Sequence, residues 1–288
     1  MASPYFRAKR APFLIPARVL VVIVGLVAIT AAVLHLVDEV QRTESAGIFL
    51  LAVIGLGVIW LVSLGLGWRG SRIALFIAGL LAFAEFGLQA TNHFITGGSQ
   101  DISTLALHRG LAVGITLLAL GPACLLTSIA AIEAVSNPRG RSVSRIGLVQ
   151  LAISVPGVIF LILHAADDLG RGGFGSISPE DGSFLAMVIA TIWALGALWT
   201  AGHPRRGSVL TAVATGFVLV PFYSLHLAGG VSLATIAQKS GAVWAVVAGA
   251  MAGCAALAFA LAAGFLITSL AGRRGRAGRG AAPAFKKA

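Results

Sequence analysis

The stretch 46–94, AGIFLLAVIGLGVIWLVSLGLGWRGSRIALFIAGLLAFAEFGLQATNHF, decides how this chain folds. Two apolar runs, Ala46–Leu66 and Ser71–Phe94, flank a short break that carries Arg69 and Arg72. Each run has about 20 residues or more, enough at ~1.5 Å per residue to cross a ~30 Å hydrocarbon core as a helix. Working outward, six further runs of this kind appear: Pro16–Val37, Gly110–Val135, Arg145–Ala165, Gly182–Ala201, Ser208–Ala228 and Gly241–Leu270. The expectation is an all-α integral membrane protein with eight transmembrane helices.

The charges between the runs orient it. With the N-terminus in the cytoplasm, the connections alternate inside and outside. Inside then fall Arg7, Lys9, Arg10 and Arg18, Arg69 and Arg72, Arg139, Arg141 and Arg145, Arg205 and Arg206, and every basic residue after Ala271. Only Arg42, Arg109, Arg171 and Lys239 of the 21 Lys and Arg fall outside. The acids do the reverse, leaving Glu85 within a run and Glu133 at an inner end. Cytoplasmic loops retain Lys and Arg during insertion, so this bias predicts cytoplasmic N- and C-termini.

Composition agrees. The chain is 58% hydrophobic and only 11% charged, with a mean hydropathy of +0.94, against about 25% charged residues in soluble domains. The net charge of +11 lies on one face and reads as orientation plus attraction to anionic lipid headgroups. It does not read as nucleic acid binding. The lipid bilayer is the expected partner, with other membrane subunits as the second expectation. The Ala-, Gly- and Arg-rich composition points to a bacterial cytoplasmic (plasma) membrane. The first run is longer than a signal-peptide core and is expected to stay as a helix. Cys124 and Cys254 both lie inside apolar runs, which leaves no extracytoplasmic disulfide framework.

The chain reads as two tandem four-helix bundles in parallel repeat. Leu34-His35-Leu36-Val37-Asp38-Glu39 corresponds to Leu163-His164-Ala165-Ala166-Asp167-Asp168, and Trp60 to Trp193. Arg69-Gly70-Ser71 corresponds to Arg206-Gly207-Ser208, and His93 to His226. The order is common to all, and the drift in spacing falls in loops. The expected organisation is a basic N-terminus over 1–15, a first half over 16–135, a cytoplasmic linker over 136–144, a second half over 145–271, and a basic disordered tail over 272–288. Gly110xxxGly114 and Gly249xxxGly253 are expected at helix seams. Trp68, Trp199 and Trp244 fit interfacial anchoring.

Histidines are the main chemical lead. His35 and His93 end the first and third runs of one half, and His164 and His226 those of the other. Such pairs facing across a bundle suit haem b, or a transition metal such as Cu, Zn or Fe. Asp38 and Glu39 follow His35, and Asp167 and Asp168 follow His164, at spacings that share a helical face. They are candidate ligands or imidazole-orienting acceptors. His108 and Asp101 extend the first cluster, so that His35, His93 and His108 make a three-histidine set. The bland alternative is that polar residues sit at helix ends because water is there.

A second lead is the polar stripe Glu85, Gln89 and His93, with Asn92 beside it. An acid near mid-membrane costs at least ~2.5–3.5 kcal/mol on insertion scales and is a functional candidate by default. No phosphate loop, GxSxG elbow, CxxC pair or HExxH motif is present. Three functions compete: metal or haem binding in a redox role, a proton- or cation-coupled transporter using the Glu85/Gln89/His93 path, and a non-catalytic subunit of a membrane complex.

Overall fold

The computed structural model describes residues 17–42, 47–95, 101–136, 144–172 and 177–279. They form ten α-helices and two π-helical turns, with no strand among the described residues. Eight helices are long and apolar enough to span a bilayer. The opening stretch supplies α2 (Gly47–Trp68) and α3 (Arg72–Ala90). The turn between them is set locally. Gly70 adopts φ 101°, a conformation costly for residues with a Cβ. Its N–H donates to Gly67 O at 2.9 Å and that of Ser71 to Leu66 O at 3.1 Å, closing off the end of α2. The Ser71 hydroxyl then accepts from Ala74 N at 3.3 Å and starts α3.

The remaining helices are α1 (Ala17–Arg42), α4 (Ile102–Arg109), α5 (Leu111–Ser136), α6 (Arg145–Gly170), α7 (Pro179–Gly202), α8 (Pro204–Phe222), α9 (Leu233–Lys239) and α10 (Ala242–Arg279). The π turns cover Thr91–Ile95 after α3 and Tyr223–Leu227 after α8. Helix α10 runs to Arg279, so the described part of the expected disordered tail continues the last helix. The basic residues before Ala17 and the linker around Arg139 and Arg141 lie outside the described residues.

The helices cluster into two compact units, whose boundary runs through α6 and α7. The first holds α1–α5 with residues 162–191 of α6 and α7; the second holds residues 146–161 and 192–288. In the first unit α5 is the hub, packing on α1, α3 and α4. It is the most buried span, at 67%. Its contact with α3 is made by small residues: a Cβ on Gly79 would stand 2.6 Å from Ala131 Cβ. There Ser128 Oγ donates either to Gly79 O at 3.0 Å or to Cys124 O at 2.9 Å. A hydroxyl bonded to the neighbouring helix is a recurrent tie between membrane helices.

In the second unit Trp193 is fully buried and its indole N–H donates to Ser154 Oγ at 3.0 Å. Gly157 makes room for that ring: a Cβ there would lie 2.5 Å from Trp193 and 2.9 Å from Cys254 Cβ. Gln150, on the same helix as Ser154, donates to Ala258 O at 3.3 Å. The seams expected at Gly249 and Gly253 do not form among the described residues, since a Cβ at either meets nothing within 4 Å. At Gly114 a Cβ would make ordinary contact at 3.4 Å. Small-xxx-small spacing permits close approach without requiring it; the neighbour decides.

Two substitutions separate these cases. Gly79→Leu should cost about 1–3 kcal/mol by overpacking, read as earlier unfolding of purified protein in denaturing detergent. Gly253→Leu should leave the curve unchanged.

Candidate functional site

The first unit brings two of the expected histidines into contact. The buried face of α1 runs through Val21, Gly25, Ala28 and His35, a helical spacing that ends in an imidazole. Helix α3 buries Ala78, Ala82 and Gln89 and then widens into the π turn, where His93 and Phe94 are both buried. The rings of His35 and His93 meet edge to face, with centroids 5.0 Å apart and planes at 86°. His35 is 8% exposed and His93 4%. His35 Nδ1 is buried without a hydrogen-bond partner.

With metal–N bonds near 2.0–2.1 Å and each centroid about 1.1 Å behind its nitrogen, two imidazoles on one tetrahedral ion have centroids about 5 Å apart. The observed 5.0 Å is compatible with that spacing and is equally the separation of two rings in direct edge-to-face contact.

The carboxylates expected as ligands have another occupant. Arg109, the last residue of α4, donates from Nη1 to Asp38 Oδ2 at 2.9 Å and also to Glu39. Gly110 follows with φ 93°, which turns the chain from α4 into α5. Burial pulls the guanidinium's pKa down, but the hydrogen bonds and charges of Glu39 and Asp38 more than offset this and leave it raised. Arg109 is thus a fixed cation at the α1 terminus. In the sequence its one signal is that Arg109 is an exception to the charge bias. His35 lies within electrostatic reach of Asp38, Glu39 and Arg109.

The three-histidine set does not assemble: His108 is exposed on α4. Among the described residues of this unit, no third His, Cys or carboxylate comes within ligand distance of His35 and His93 together. Asp101 is the N-cap residue of α4 and makes no side-chain cap bond. Asn92 is exposed and so leaves the polar stripe, while Gln89 Nε2 donates to Glu85 Oε1 at 2.8 Å. Gln89 Oε1 is buried and has no hydrogen-bond partner.

On α6, His164 Nε2 stands 3.6 Å from Asp168 Oδ2, an imidazole and a carboxylate that can share a metal ion. Arg171 pairs with Asp167 at 2.9 Å and also with Asp168. The expected His164/His226 pair has one member in each unit. In the second unit His226 lies in the π turn against Phe222, with ring centroids 5.1 Å apart. Its Nδ1 is 2.7 Å from Val231 O. A carbonyl only accepts, so Nδ1 carries a proton in this contact.

Compared with family models, with curated proteins and with solved structures, the chain matches none. Function therefore rests on the sites themselves. The Arg109 network gives a first test: Arg109→Leu removes a hydrogen-bonded cation from two half-buried carboxylates and should cost about 1–3 kcal/mol. Adding Asp38→Asn and Glu39→Gln should recover most of that stability in the same unfolding assay.

Proposed function

We propose that this multi-pass membrane protein binds a divalent transition-metal ion at the ends of α1 and α3, with His35 and His93 as ligands. The observation that carries the reading is the 5.0 Å centroid separation of two buried imidazoles, the spacing of neighbouring ligands on a tetrahedral ion. Structural zinc sites close with four protein ligands; two imidazoles leave positions for water or cargo. Such a site suits capture and release of an ion. The placement of Lys and Arg supports cytoplasmic termini, which put this end of the unit on the outer face. Duplication is supported by a succession that occurs twice: long helix, π turn with a histidine, short helix, positive-φ glycine (Gly110 or Gly241), long helix.

Zinc titration of chelator-free protein, followed by competition with a fluorescent indicator, tests the reading. Binding should weaken about 100-fold in His35→Ala/His93→Ala, and it should weaken on acidification, because imidazolium cannot ligate. Binding unaffected by the double substitution would remove these histidines from the site.

A second reading has its own observation. Glu85 and Gln89 are hydrogen-bonded in the middle of α3, His93 follows Gln89 by four residues, and His93 touches His35. Such a ladder suits a proton path. In liposomes enclosing a pH-sensitive dye, Glu85→Gln should then abolish potential-driven acidification and leave zinc affinity unchanged. Equal acidification by wild type and empty vesicles would discard the path.

A further inference from the structure

The second unit is of one sign, and its charge is gathered at one end. No Asp or Glu follows Asp181 and none occurs in 146–161, so this unit contains no acidic side chain. Arg205 and Arg206 occupy the first turn of α8, where the helix dipole adds partial positive charge. Arg205 Nη2 donates to Ser269 O at 3.3 Å, which ties that turn to the end of the α10 span. Arg273 and Arg276 follow Ser269 by four and seven residues and so share its face of α10. Arg274 and Arg279 belong to the same helix end.

Depth selects the anion. Helix α10 is 38 residues long and its apolar span only 30. Beyond Ala271 it therefore continues for about 12 Å at ~1.5 Å per residue, through a headgroup layer roughly 5–7 Å deep. Its arginines stand at the level of lipid phosphates, and the unit supplies no carboxylate to pair with them. A guanidinium holds a phosphate through a planar fork of two hydrogen bonds, which an ammonium cannot do. Basic pockets between membrane helices are where anionic headgroups are recognised. We propose that the first turn of α8 and the end of α10 form a binding site for an anionic phospholipid. Arg205, Arg273 and Arg276 take its phosphates, and its acyl chains lie against Val209, Ile267 and Leu270, which are exposed on the same two helices. This site is independent of the metal reading.

Full-length protein in neutral detergent, titrated with a cardiolipin-type lipid of two phosphates and read by native mass spectrometry, tests this. Three arginines near an anionic lipid should make it bind about 100-fold more tightly than phosphatidylcholine. Arg205→Gln/Arg273→Gln/Arg276→Gln should lose most of that difference. Arg18→Gln/Arg69→Gln/Arg72→Gln removes the same charge from the first unit and should leave the affinity unchanged. Arg205→Lys/Arg273→Lys/Arg276→Lys keeps the charge, and with it the membrane orientation, but loses the forks; it should weaken binding several-fold. The lysine variant decides alone if the glutamine variant does not yield folded protein. Unchanged affinity in either variant overturns the site, as does an equal loss in the first-unit control. Displacement of the lipid by an equal concentration of inorganic phosphate, or of a short single-stranded RNA, would assign the arginines to a soluble anion and overturn the lipid.

Discussion

A chain that crosses hydrocarbon has no water to satisfy its polar groups, so each must find a partner within the protein. That constraint governs nearly every specific contact here. Ser128 bonds to the α3 backbone at Gly79, Trp193 to Ser154, and Gln150 to the α10 backbone at Ala258. Each bond joins two helices, and each needs those helices close together. Glycine supplies the space, at Gly79 in the first unit and Gly157 in the second. The apolar faces contribute little to choosing neighbours, because lipid tails are as apolar as leucine. Most of α2 shows this, with Leu51, Ile54, Val58 and Val62 exposed toward what would be lipid.

The same constraint explains the candidate site. Carboxylates meet arginine at the C-terminal ends of α1 and α6, each beside a histidine: Asp38 and Glu39 with Arg109, Asp167 and Asp168 with Arg171. In each network one arginine bonds two neighbouring acids beside a histidine. In the first the arginine comes from another helix, and in the second it follows the same helix end.

Paired histidines on neighbouring helices suit a haem or a tetrahedral ion alike, and nothing in residue identity separates the two. What the fold adds is the edge-to-face contact of the rings, with centroids 5.0 Å apart. His93 enters that contact from the π turn, where the end of α3 widens. Unlike the glycine turns, this widening has no one-residue signature: Pro221 precedes the turn in α8, and no proline lies in α3.

Eight membrane-crossing helices were legible from run length and hydropathy, because hydrocarbon thickness and helical rise fix how many apolar residues a span needs. The pairing of His35 with His93 was also anticipated, since both end alternate spans at one depth. Three features were decided by tertiary structure. Arg109 reaches Asp38 across seventy-odd residues of chain, a contact that no local spacing encodes. His108, one residue away, is exposed because α4 is short and turns the two side chains to different sides. The glycines at Gly249 and Gly253 looked like a seam and meet nothing, while Gly79 and Gly157, outside that pattern, are among the tight ones. Sequence sets what a residue permits; the neighbour brought by the fold sets what it does.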